Sequence, residues 1–454
     1  MKRWLPALIL AAACCIPLYS MRSSSPVLLQ DTDTLAMLQG IQERDSPLSW
    51  FTSDWPLGNH FYRPLPTLTF ELDNRLAPAD PSQFGLTNAL LCMGCTLLLF
   101  WFLRELTDSP WISVASTALF VGWQLDRSWM LGDWLPWLIP PIIGVGIWRH
   151  RLSFGPWMTA SLAILYLSSQ LSGMSFLYFR MIAWLPGRTA SVMTLFALAA
   201  LASYARYERL ASSRLPPPSP TALDPNVSMK SEEPKAPKLP WVWVALAYLF
   251  TMGALASYEQ AIMLPAILMG VAIVFRLSRR IPHWYAHIGF WLLLVGYWIL
   301  RREFVPSEVS GYQAQQFRSG PGVWMSLVEY VLPCANLIQP MFEMLENGFL
   351  ALFMSGFYQN LLGIASNISG ITTVFRSKYW VTALGSFLMS LFAYLPMAWL
   401  KPFDHYHYWP MALRSVFVVL LGAATAQSVL ISISPPAVQA PSRQNPAPGS
   451  LRRR

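Results

Sequence analysis

Apolar positions in this chain collect into long runs separated by short polar intervals. The runs lie at about 4–20, 86–103, 110–125, 133–148, 156–174, 189–205, 240–257, 261–275, 284–300, 347–372, 379–399 and 409–432. Each is about the length that an α-helix needs to cross the hydrocarbon core of a bilayer. The first run directly follows Lys2 and Arg3. Many spans follow it and no clear A-x-A site precedes Met21, so it reads as an uncleaved signal-anchor helix rather than a cleaved signal peptide. The pattern predicts an all-α integral membrane protein, a bundle of about 10–12 transmembrane helices.

The polar intervals divide the chain. Residues 22–85 form a large loop after the first run, with aromatic and charged residues mixed. A loop of that length in a compact protein is usually functional. Leu35, Met37, Leu38 and Ile41 stand at helical spacing in it, which predicts one or two amphipathic helices on the outer leaflet. The expected organisation is an N-terminal membrane half at 1–206 that contains this loop, a Pro/Ser-rich disordered cytoplasmic linker at 207–239, a C-terminal membrane half at 240–433, and a disordered cytoplasmic tail at 434–454.

Composition sharpens the class. The chain is 54% hydrophobic and only 12% charged, about half the charged share of a soluble domain. That excludes a soluble single domain, a disordered chain and a disulfide scaffold. The net charge of +9 does not gather on one face but alternates with apolar runs, which argues against nucleic acid. With the N-terminus cytoplasmic, Arg104, Arg149, Arg151, Arg276, Arg279, Arg280, Arg376, Lys378 and the Arg452–Arg454 tail all fall inside, and acidic residues fall mainly outside. The positive-inside rule selects this orientation, with both termini cytoplasmic. Cys92 and Cys95 form a C-x-x-C inside an apolar run with no histidine near, a setting for inert thiols rather than zinc or redox chemistry. Asn226 and Asn367 open glycosylation sequons, one in the linker and one in an apolar run, and both read as chance.

Residues with chemical potential recur at the outer ends. Asp31-Thr32-Asp33 follows the first span. A carboxylate there can act as general base toward a hydroxyl, or cap the helix that starts near Leu35. Tyr62-Arg63-Pro64-Leu65 suits bidentate recognition of a phosphate, or an interfacial anchor. Trp184-Leu185-Pro186-Gly187-Arg188, Ser257-Tyr258-Glu259-Gln260 and Asp404-His405-Tyr406-His407-Tyr408-Trp409-Pro410 lie on the same predicted face as Asp31. Ionisable groups at membrane depth are costly, which makes each a site candidate. His405 and His407 would need two or three further ligands to hold a metal.

In order, these motifs resemble those of the multi-spanning O-mannosyltransferases whose animal members carry TPR repeats, and of their bacterial relatives. The resemblance covers about residues 5–432 and rests on Asp31/Asp33, Tyr62-Arg63-Pro64-Leu65, Asn88, Gly187-Arg188, Tyr258-Glu259-Gln260-Ala261 with Leu264-Pro265, and Tyr406-His407-Tyr408-Trp409-Pro410. It departs from that family at Gly85, Cys92, Tyr258 and His405, and this sequence carries no TPR repeats. The resemblance implies a GT-C type glycosyltransferase fold and an inverting transfer of sugar from a polyprenyl-phosphate donor to a protein or glycan hydroxyl on the outer face. Asp31 or Asp33 would be the base. Arg63, Arg188 and His405 would face the donor phosphate, with Glu259, Tyr62, Tyr406 and Tyr408 in support. No cofactor is implied; the Asp-x-Asp leaves a divalent metal open. Two rival classes stand beside this: a non-catalytic relative acting as scaffold or sensor, favoured by the four departures, and a transporter, disfavoured because the ionisable residues gather at one rim.

Overall fold

The computed structural model describes residues 4–15, 32–44, 46–78, 81–125, 184–212, 241–276, 284–331, 379–401 and 403–433, with isolated positions between 138 and 181. Asp31, the run at 347–372, all but isolated positions of the runs at 133–148 and 156–174, both sequons, most of the 207–239 linker and the tail after 433 lie outside the described residues.

The described residues are helical, with no strand among them beyond one isolated bridge between Phe317 and Leu400. In chain order the helices are α1 (Leu5–Ala13), α2 (Thr32–Gln42), α3 (Pro64–Leu76), α4 (Pro81–Thr107), α5 (Pro110–Gln124), α6 (Arg188–Ser212), α7 (Trp241–Leu255), α8 (Leu264–Arg276), α9 (Trp284–Phe304), α10 (Gly311–Gln316), α11 (Pro321–Val331), α12 (Trp380–Tyr394) and α13 (Tyr408–Ile433). Several open on proline, whose missing N–H costs nothing in a first turn and whose φ is preset for helix. Among the described residues, three helical stretches are long and apolar enough to cross a membrane: Phe84–Thr107, Leu185–Ala211 and Trp380–Met397. The described residues are thus all-α, with helices suited to a membrane.

The bundle is built around α6, which packs along α4, α7 and α8. Its apolar window is 89% buried, against 50% and 39% for the other two spanning stretches, so protein surrounds it on nearly every side. Ala197, Ala200, Ala202 and Ala205 are fully buried on it, and small residues of this kind let neighbouring backbones come close. The fit is tight: a Cβ on Gly253 of α7 would stand 2.6 Å from the Phe196 ring. Elsewhere α12 packs on α13 and α8, and α1 on α4.

At one end of this core, α6 runs six residues past the expected start of the linker, to Ser212. Tyr207 and Glu208 are buried there. Arg206 lies 3.3 Å from Glu105 at the end of α4, and Arg209 pairs with Glu105 and Asp108. Packing and charge at the end of α4 therefore hold a segment whose composition alone resembles a linker.

Of the one or two helices expected in residues 22–85, the described residues hold α2 and α3. Met37, Leu38 and Ile41 are buried, while Leu35 stays exposed. α3 buries Phe70, Glu71 and Asp73 and leaves Leu72 and Leu76 exposed.

Candidate functional site

The site is a cavity of about 500 Å³ at the end of the bundle opposite the Glu105 cluster. Its corners share one local design: a short 3-10 turn beside a proline that launches a helix. Leu185–Gly187 precedes α6, Glu259–Met263 precedes α8, and Asp404–His407 precedes α13. Each turn leaves side chains projecting past the helix end, and the turns line the cavity together with the first loop and the segment after α9.

Arg63 sits immediately before α3. The following Pro64 disfavours helical backbone there, and Arg63 adopts φ −138° and ψ 56°. Its Nε and Nη2 both donate to Glu259 Oε2, at 2.9 and 2.7 Å. The guanidinium also lies 4.0 Å over Phe61 and 4.5 Å over Tyr258. Burial opposes the charge most, but the Glu259 carboxylate together with the Tyr258 and Tyr406 hydroxyls outweighs that cost and holds the Arg63 pKa above its ordinary value. Gln260 fastens the same turn by donating to the carbonyls of Ala393 and Tyr406, both at 2.9 Å. Tyr406 lines the cavity, and its hydroxyl is pushed up by burial, as is that of Tyr258. His405 packs among Trp184, Tyr258, Phe403 and Tyr406.

The loop before Arg63 is folded by Asp54. Its carboxylate accepts from the backbone N–H of Trp55, His60 and Phe61 at 2.7, 2.9 and 2.8 Å. His60 is held with φ 61°, a left-handed conformation that a non-glycine residue adopts only when its surroundings impose it. Here they do. The His60 carbonyl accepts from Arg301 at 3.3 Å and Gln313 at 3.1 Å, and its Nδ1 meets the Glu308 carbonyl at 2.7 Å. Ser310 adds a bond to the Asn59 carbonyl at 3.2 Å.

Asp33, in the first turn of α2, lines the cavity. Its charge, after burial, helps push the Tyr312 hydroxyl up, which places the two near each other. The structure thus brings together five of the sequence candidates: Asp33, Arg63, Glu259, His405 and Tyr406.

Three other candidates are placed elsewhere. Arg188 is fully buried and does not line the cavity. It pairs with Asp73 at 2.7 Å and donates to Asn88 Oδ1 at 2.6 Å and the Phe84 carbonyl at 2.9 Å. Its donors are taken up in clamping α3 and α4 to α6, so it acts as a structural tie. Tyr62 packs on Tyr297 and donates to the Phe51 carbonyl. Tyr408 donates to Gln124 on α5 at 3.1 Å. The neighbour Thr189, rather than Arg188, reaches the cavity.

Sequence reasoning missed Arg301, in the last turn of α9, and Tyr312, Gln313 and Gln316, which line the cavity from the stretch after it. The available signal was Ser310-x-x-Gln313, a capping-box spacing, and both of its reciprocal bonds are present. No three His, Cys, Asp or Glu side chains converge on a metal position among the described residues. No protein-family model matches this chain, and no curated protein or solved structure matches it either. The site is therefore read from its own geometry.

Proposed function

We propose that this chain is a membrane glycosyltransferase of GT-C type that moves a sugar from a polyprenyl-phosphate donor to a protein or glycan hydroxyl at the outer membrane face. One observation carries the reading. A carboxylate, a cation–carboxylate pair and an aromatic-flanked imidazole, drawn from chain positions as distant as 33 and 405, line one cavity. A cavity of about 500 Å³ accommodates a ligand of sugar-phosphate size. Its walls are rich in Trp, Tyr and Phe, which present the flat apolar faces that pack on sugar rings and isoprenoid chains.

In this reading the bundle crosses the bilayer many times with both termini cytoplasmic. The cavity faces outward, where the first loop lies. Asp31 or Asp33 takes the proton of the acceptor hydroxyl as its oxygen attacks the anomeric carbon with inversion. The bond from that carbon to the phosphate oxygen breaks, and the lipid phosphate leaves with its negative charge. Cations fixed before the reaction stabilise that charge without reorganising. Arg63, oriented by Glu259, is the cation that serves here, and the His405 imidazole is a further contact to the phosphate.

Purified full-length protein with labelled polyprenyl-phosphate sugars tests the reading. Arg63→Ala should lower transfer on the order of 10²-fold or more, the usual cost of losing a preorganised contact to a developing anion. Arg302→Ala, at an exposed residue that does not line the cavity, should leave it unchanged. Equal losses in both variants would count against a phosphate role for Arg63.

A further inference from the structure

Two arginines line the cavity, and their electrostatic circumstances differ. Arg63 has both of its bonded donors on one Glu259 oxygen, so much of its charge is already answered. Arg301, in the last turn of α9, has no carboxylate within ion-pair distance among the described residues. Among the described residues its one hydrogen bond runs from Nη2 to the His60 carbonyl, at a long 3.3 Å. Its Nε is buried with no hydrogen-bond partner among the described residues. A buried donor left unmade costs free energy, and native structures leave few of them. Arg301 is thus a half-committed guanidinium facing a cavity, fixed by a single weak contact to a strained loop.

We propose that Arg301 is a further phosphate-binding cation of this cavity, acting beside the Glu259-oriented Arg63. The inference rests on the reading of the cavity as a site for a phosphate-linked lipid. A guanidinium with free N–H edges meets two oxygens of a phosphate at once, which a point charge cannot do. The surroundings keep that fork in place. Gln313 shares the His60 carbonyl with Arg301, and Asp54 fixes the loop from its other side. Bound phosphate would draw Arg301 away from the His60 carbonyl at little cost, because Gln313 continues to satisfy it. Glu308 and Asp33 also line the cavity, and their carboxylates oppose the entry of anions that make no such paired contact.

The test is equilibrium binding of a short-chain isoprenyl monophosphate, and of the matching isoprenol, to the detergent-solubilised full-length protein. Arg301→Gln keeps an N–H donor for the His60 carbonyl while removing the charge, and Arg302→Gln is the control one residue along. Arg301→Gln should weaken monophosphate binding by on the order of tenfold or more, the range for a charge-assisted hydrogen bond. It should leave isoprenol binding and the thermal midpoint of the unliganded protein unchanged, and Arg302→Gln should change nothing. Monophosphate binding that is undiminished in Arg301→Gln, equally weakened in Arg302→Gln, or absent from the wild type would overturn the proposal. Sugar transfer undiminished in Arg301→Gln would overturn it and leave the glycosyltransferase reading standing. Phosphate binding through Arg301 without sugar transfer would overturn that reading and leave this one standing.

Discussion

Two buried charged or titratable residues, Arg188 and His407, are held by contacts within the fold, and each yields a prediction about stability. Arg188 answers Asp73 at 2.7 Å in a fully buried setting, with Thr87 on the other Asp73 oxygen. Removing one partner of such a pair strands a charge, so Arg188→Met should destabilise the folded protein by about 3–5 kcal/mol. The double variant Arg188→Met with Asp73→Asn should regain part of that loss, measured as thermal midpoint in detergent. Additive losses would contradict the tie. His407 stacks on Tyr394 and Tyr330, near Arg414. Burial first, then the Arg414 charge, push its pKa down from 6.5 to about 4. The unfolded chain takes up a proton below about pH 6.5 while the folded one refuses it until about pH 4, so stability falls as pH drops through that window. The loss approaches about 3 kcal/mol at most. The fall in thermal midpoint between those pH values should be shallower in His407→Gln; identical slopes would rule this out.

At the scale of elements, the helices were legible and their partners were not. Apolar runs mark α4, α6, α7, α8, α9, α12 and α13 because each buries a long apolar surface, a requirement written into every turn. The prolines that open α3 and α13 also placed Arg63 and the His405 turn at helix ends, which is why five candidates meet in one cavity. What could not be read was the fate of each arginine. Local sequence gives Arg63 and Arg188 the same appearance beside proline or glycine; only packing shows that one faces a cavity and the other Asp73. Arg301 escaped notice because its role depends on His60, which lies 241 positions away in sequence. The same packing makes a direct prediction at the α6–α7 contact. Gly253→Val would drive side-chain atoms into Phe196 and should cost about 1–3 kcal/mol, the usual penalty of overpacking. Pairing it with Phe196→Ala should relieve the strain; a double variant no more stable than Gly253→Val alone would argue against this contact.

For the whole molecule, the two ends of the bundle carry different groups. Arg206 and Arg209 meet Glu105 and Asp108 at one end, and the cavity with Asp33, Arg63, Glu259 and His405 lies at the other. In the proposed topology the first end is cytoplasmic and the cavity is outside. Reporter fusions at residues 45 and 225 should therefore report opposite sides, with 45 outside; both on one side would remove the shared outer site. The account's central claim is that the cavity transfers sugar with an aspartate of the Asp31-Thr32-Asp33 stretch as base. Asp→Asn keeps size and most hydrogen bonding while removing basicity, so it separates catalysis from helix capping. The decisive measurement is transfer of label from a polyprenyl-phosphate sugar to acceptor by the purified wild type, Asp31→Asn, Asp33→Asn and the double variant, each shown to be folded. The account predicts transfer by the wild type, its loss in one single variant, and its absence from the double variant. Wild-type-level transfer by all three variants, or none by the wild type with each candidate donor supplied, would contradict it.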